Sequence, residues 1–150
     1  MIQNFRYLGK RIAGVIKMNE NIAEIFKKYK KIAVVGLSPK PERPSHGVAK
    51  YLKEQGYKII PVNPGVSEVL GEKAYPDISS IPETVEIVDI FRRPEEVMPV
   101  IDEAIKIGAK VVWMQEGVIN GEAARKAESA GLQVVMDRCM YKEHARLQKV

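Results

Sequence analysis

The chain has 150 residues, 45% hydrophobic and 29% charged, which fits one globular domain with its own core and shows no run near the roughly 18 apolar residues of a membrane-spanning helix. Its single cysteine, Cys139, excludes an internal disulfide framework and suits a reducing cytosol, and Arg6, Lys10 and Arg11 interrupt any secretory apolar segment. The net charge is +5, but residues 1–17 carry four basic side chains and no acid, so the remainder balances 20 basic against 19 acidic residues and lacks the broad stripe that duplex nucleic acid needs.

Residues 1–17 read as a basic N-terminal extension, a loose tail or a mis-assigned start rather than a basic amphipathic helix touching a partner or a membrane, with the domain spanning residues 18–150. Asn19 is placed as the N-cap of a helix with Ile22, Ile25, Phe26 and Tyr29 at helical spacing. The β-branched run from Ile32 to Val35 predicts a buried central strand, ended by Gly36. After a polar, Pro-rich loop, Ser45 is expected to cap a helix that carries Val48, Tyr51 and Leu52 and stops at Gly56. A second strand is predicted over 58–62, stopped by Asn63-Pro64-Gly65. Lys73-Ala74-Tyr75 reads as a short edge strand, and 78–81 as one helical turn.

A strong strand follows over 86–91. Glu95 and Glu96 favour a first helical turn, and the main helix is expected to restart at Pro99 and end at Gly108. Residues 110–114 predict another strand. Asn120 then caps a helix with Ala123, Ala124, Ala127 and Ala130, small enough to lie close on a sheet, and Gly131 ends it. The last strand is predicted over 132–136, and the charged tail from Met140 reads as helical.

One pattern repeats: Gly56-Tyr-Lys-Ile-Ile, Gly108-Ala-Lys-Val-Val and Gly131-Leu-Gln-Val-Val. Each copy is a helix stop feeding directly into a strand. This is the punctuation of βαβ units, so the predicted fold class is α/β, a single doubly wound parallel sheet of order 3-2-1-4-5-6 with the piece at Tyr75 as strand three. Ligands of such sheets bind beyond the strand C-ends, where strands one and four diverge.

The strand, Gly turn and helix N-terminus from Lys31 to Ala49 form an anion cradle, because unpaired N–H groups and the helix dipole both point at the loop. A phosphate-bearing small molecule is the expected ligand. The NAD fingerprint fails at two of three glycines, since Gly36 is followed at the matching positions by Ser38 and Pro41. Asn63-Pro64 also replaces the acid that would hold the ribose. The strand ends are instead basic: Lys40 and Arg43, then Arg92 and Arg93, then Arg138. Five cations on one rim suit a ligand with several phosphates. No His, Cys, Asp or Glu grouping has metal spacing. His46, at the head of the helix, reads as a neutral donor to ligand or loop rather than a base. Asp89 reads as structural, bonding nearby backbone; Trp113 as core; His144 as solvent-facing; Cys139 as a small packed hydrophobe on the rim.

Five blocks in order, Val34-Val-Gly-Leu-Ser-Pro-Lys-Pro-Glu-Arg-Pro-Ser, Pro61-Val-Asn-Pro, Val88-Asp-Ile-Phe-Arg-Arg-Pro, Val112-Trp-Met-Gln-Glu-Gly-Val and Val135-Met-Asp-Arg-Cys, give a specific resemblance to the small stand-alone CoA-binding protein family over about residues 20–147. That family is similar in fold to the CoA-binding domain of the succinyl-CoA synthetase alpha subunit. The resemblance implies a Rossmann-like fold and coenzyme A as ligand, and no established reaction. The synthetase's second domain, with its phosphorylated histidine, has no counterpart in the match, so its activity is not carried over.

With CoA as the implied ligand, Gly36, Leu37 and Ser38 are expected to let backbone approach the pyrophosphate, with Ser45 and His46 at the same helix end. Lys40 and Arg43 are placed at the pyrophosphate or 3′-phosphate, and Asn63 and Pro64 beside adenosine. Ile90, Phe91 and Arg92 are expected along the pantetheine path, with Gln115 and Gly117 completing the wall and Arg93 and Arg138 on the basic rim. The expected role is non-catalytic, as carrier, sensor or regulator; the alternatives are a small enzyme acting on a CoA thioester or a binder of another nucleotide such as NAD(P). The expected partner is a small molecule, with no nucleic acid and no membrane; a homo-oligomer is left open. The expected location is the cytoplasm.

Overall fold

A computed structural model describes residues 18–149; the extension assigned to 1–17 lies outside the described residues. Five strands form one parallel sheet: β1 (Lys31–Val35), β2 (Lys58–Val62), β5 (Ile87–Ile90), β6 (Val111–Met114) and β7 (Gln133–Met136), in the order β2-β1-β5-β6-β7. Two further strands, β3 (Glu68–Val69) and β4 (Glu72–Lys73), make a small antiparallel hairpin apart from it. The α/β class and parallel sheet are as the sequence predicts, but the sixth strand is not formed. At that place Tyr75 makes a single parallel bridge to Val62, held by Tyr75 N–H to Pro61 O (3.0 Å) and Asn63 N–H to Tyr75 O (2.9 Å). The following Pro76 has no N–H to extend a ladder, so the pairing stops there.

Side chains alternate across the sheet. Ala33, Val35, Val88, Ile90, Val112 and Met114 bury one face under α3 (Val97–Lys106) and α4 (Gly121–Ser129). Ile32, Val34, Ile87, Val111 and Trp113 bury the other under α1 (Ile22–Lys28), α2 (Pro44–Glu54) and α5 (Met140–Leu147). Strands covered on both faces explain the near-continuous apolar runs. The three Gly repeats close helices alike: Gly56, Gly108 and Gly131 have φ of 97°, 77° and 93°, and the next residue's N–H returns to the helix, as Tyr57 to Leu52 O (3.1 Å), Ala109 to Ala104 O (3.0 Å) and Leu132 to Ala127 O (3.0 Å).

Several local expectations are corrected. Asn19 does not cap α1; Asn21 holds that position, and Asn19 seals the sheet edge instead. Its N–H donates to Val134 O (3.1 Å), and its side chain bonds the N–H (2.7 Å) and carbonyl (3.2 Å) of Met136. Ser45 is not the cap of α2; Arg43 is, with Pro44 as first helical residue, where a missing N–H costs nothing. The main helix after β5 begins at Val97, so Pro99 lies within its first turn. Asn120 does cap α4, accepting from Ala123 N–H at 3.0 Å. His144 is buried rather than solvent-facing, its ring edge-on to Phe26, Tyr51 and Tyr57.

Candidate functional site

The chain leaves β1 for β2 on one side of the sheet and returns to β5 on the other, so the loops after β1 and β5 part at the strand C-ends. Phe91 N–H still bonds Val35 O (2.9 Å), holding the two loops together at their base. Gly36 turns away with φ 87°, and a Cβ there would stand 2.2 Å from Phe91 O. Only glycine fits this turn, on both counts.

Two adjoining hollows open where the loops diverge. The smaller, about 210 Å³, is lined by Gly36, Ser38, Arg43, Pro44, Ser45 and Phe91. The larger, about 520 Å³, includes Phe91, Arg92, Gln115, Val118 and Cys139 in its wall. Pro44 and Phe91 belong to both, so the two hollows lie side by side along one trough at the strand C-ends.

The β1–α2 loop is built around Ser45. Its hydroxyl accepts from Ser38 N–H (3.0 Å), and the Ser38 hydroxyl accepts from Lys40 N–H (3.1 Å). This folds the loop over the α2 N-terminus. Among the described residues, the N–H groups of Leu37 and Ser45 donate to nothing, and the helix dipole makes their end of the loop favourable to an anion.

The five rim cations differ. Arg93 is engaged by Glu96 (2.9 Å) and Glu95 (3.7 Å), which hold its guanidinium above its ordinary pKa. Arg138 donates to the carbonyl of Asp137 (2.9 Å). Lys40, Arg43 and Arg92 make no ion pair among the described residues and remain available to phosphate.

Other expected site residues have structural roles. Leu37 and Ile90 are fully buried in opposite cores, so each offers a ligand only its main chain. Asn63 ties the neighbouring loops, donating to Leu37 O (2.9 Å) and accepting from Gly65 N–H (2.8 Å), with Pro64 exposed beside it. Gly117 N–H donates to the Asp137 carboxylate (2.8 Å), clasping the β6 and β7 loops. His46 is half-buried and makes no side-chain hydrogen bond among the described residues. Pro44, Val48, Glu96, Glu116 and Val118 line the trough without having been singled out. Val48 carries a legible sign in retrospect, as the first apolar position of a helix whose N-terminus faces the ligand.

One buried polar pair stands behind the wall. Asp89, fully buried in β5, accepts from Gln115 Nε2 on its Oδ1, while its Oδ2 is buried without a partner among the described residues. It bonds this side chain and not the backbone that the sequence reading assigned to it. Burial pushes its carboxyl up to about 7, with Gln115's donation pulling the other way. Among the described residues no group of three His, Cys, Asp or Glu could hold a metal ion.

The model of the CoA binding domain matches residues 30–145. The uncharacterized protein YneT of Bacillus subtilis (strain 168) is 44% identical over 124 residues, covering 83% of this chain and 92% of that one. A solved structure of a hypothetical protein from Pyrococcus horikoshii OT3 superposes with a TM-score of 0.85 at 49% identity, covering 94% of this chain and 99% of that one. Acetate–CoA ligase [ADP-forming] II of Archaeoglobus fulgidus is 32% identical over 102 residues, which is 66% of this chain but 15% of the ligase. The matched span takes in both hollows and the loops that shape them: this chain belongs to the CoA binding domain family.

Proposed function

We propose that the protein binds coenzyme A along the trough, with phosphates over the β1–α2 loop and the pantetheine arm in the larger hollow, and that it acts as a carrier, sensor or regulator rather than a catalyst. The adjacency of the two hollows, which share Pro44 and Phe91, carries this reading. The smaller combines the Gly36 turn, the Ser45 N–H and Arg43, which makes no ion pair among the described residues, as phosphate requires. The larger lies within the roughly 300–1,000 Å³ usual for small-molecule sites and has Phe91, Val48 and Val118 on its wall. A ligand with a polyanionic head and a long, weakly polar arm matches that division. The partner is thus a small molecule.

Isothermal titration tests the proposal. CoA is expected to bind at micromolar concentration or tighter, dephospho-CoA more weakly, and NAD without measurable heat. Arg43→Ala removes a charge-assisted bond worth about 1.5–3 kcal/mol and is expected to weaken CoA by roughly 10- to 100-fold. NAD binding in the absence of any CoA signal would overturn the proposal.

A further inference from the structure

Asp89 is the one acid in the five-stranded sheet, paired in register with Val34 on one side and Trp113 on the other. An apolar residue would pack there without a desolvation cost, so the carboxyl at this position needs an explanation beyond the fold. Its single partner is Gln115, which follows β6, is 3% exposed, and lines the larger hollow beside Phe91. A carboxamide fits either way round at equal steric cost, and its neighbours decide which end points where. A carboxylate oxygen accepts only, so it draws the NH2 end inward. The other end, Oε1, accepts no hydrogen bond among the described residues and is not sealed from solvent, which leaves it on the wall of the hollow.

We propose that Asp89 is a positioning residue that turns Gln115 so that the trough presents a fixed amide carbonyl, and that this carbonyl accepts a hydrogen bond from a secondary amide N–H of the ligand's arm. The pair then selects ligands with a peptide-like arm over the bare nucleotide. The inference rests on the reading of the trough as a CoA site, since the pantetheine arm supplies two such N–H groups. Phe91 and Val118 give that arm apolar contact, and the Glu96 and Glu116 carboxylates on the same wall are engaged by Arg93 and Lys142, so Gln115 sets its register along the hollow.

The test compares CoA with adenosine 3′,5′-bisphosphate, which lacks the arm, by titration at pH 8. Gln115→Leu is expected to weaken CoA about 5- to 10-fold, the range of one neutral hydrogen bond, and to leave the bisphosphate unchanged. Asp89→Leu is expected to give the same selective loss. Asp89→Asn, whose carboxamide can donate as well as accept, no longer forces one orientation on Gln115 and is expected to lose CoA affinity partially, between wild type and Asp89→Leu. The Asp89→Leu/Gln115→Leu double variant should bind no more weakly than Gln115→Leu alone, because both act through one group. Unchanged CoA affinity in Gln115→Leu, or equal weakening of both ligands, overturns the inference while the CoA reading stands. Failure of wild type to bind CoA overturns that reading and this inference together.

Discussion

Asp89 and Glu128 are both pushed up to about 7 by burial. From roughly pH 4 to 7 the folded protein keeps protons that the unfolded chain releases, so these groups add stability at the acid end and lose it as pH rises through 7. For Asp89 the full span amounts to about 4 kcal/mol; Glu128 is half-exposed, and water screens its share. Between pH 5.5 and 7 the expected loss is about 2 kcal/mol, or a fall of about 5 °C in Tm. Asp89→Asn should remove most of that slope. Thermal melts that rise through this window, or an unchanged slope in the Asn variant, contradict the assignment. Cys139 supplies a second test at this scale. It is half-buried on the wall of the larger hollow, so bound CoA should slow its alkylation by iodoacetamide severalfold. An unchanged rate in saturating CoA would place the arm elsewhere.

The loops and caps show where local signals suffice and where they do not. The Gly repeats specify three helix ends, because a left-handed C′ residue is decided by the chain itself. Asn19 and Ser45 have the same capping chemistry as Asn120, yet only Asn120 caps. Asn19 is claimed by Met136, 117 residues away, and Ser45 by Ser38 across its own loop, seven residues before it. Glycines separate the two kinds of constraint. Around Gly108 nothing lies within 4 Å of a Cβ, so Gly108→Ala meets only left-handed strain, about 1–2 kcal/mol. At Gly36 the Cβ also strikes Phe91 O, and overpacking adds about 1–3 kcal/mol. Urea melts should therefore rank Gly36→Ala well below Gly108→Ala, and equal midpoints would show that the β1 and β5 loops have room to part.

Across the whole molecule, the sheet and its switch point were legible because buried strands and glycine stops repeat. The basic rim was legible as composition and less so as function, since the sequence does not show that Glu95 and Glu96 occupy Arg93 while Lys40, Arg43 and Arg92 make no ion pair among the described residues. The Asp89–Gln115 pair, 26 residues apart, became visible only when adjacent strands brought the two side chains together. With unpaired cations at the phosphate end, CoA affinity should fall as salt rises from 50 to 500 mM, most steeply for CoA and less for dephospho-CoA. Titration at graded salt checks this, and parallel slopes would remove the 3′-phosphate from Lys40 and Arg43.

We place CoA along the trough at the strand C-ends. Amide chemical-shift mapping with 15N-labelled protein tests this placement residue by residue. On adding CoA, shifts are expected to cluster at Gly36, Leu37, Ser38, Arg43, Ser45, Phe91, Arg92, Gln115 and Cys139. None are expected at Lys30, Gln55 or Tyr57, at the opposite end of the strands. Shifts centred on that opposite end, or none at saturating CoA, would contradict it.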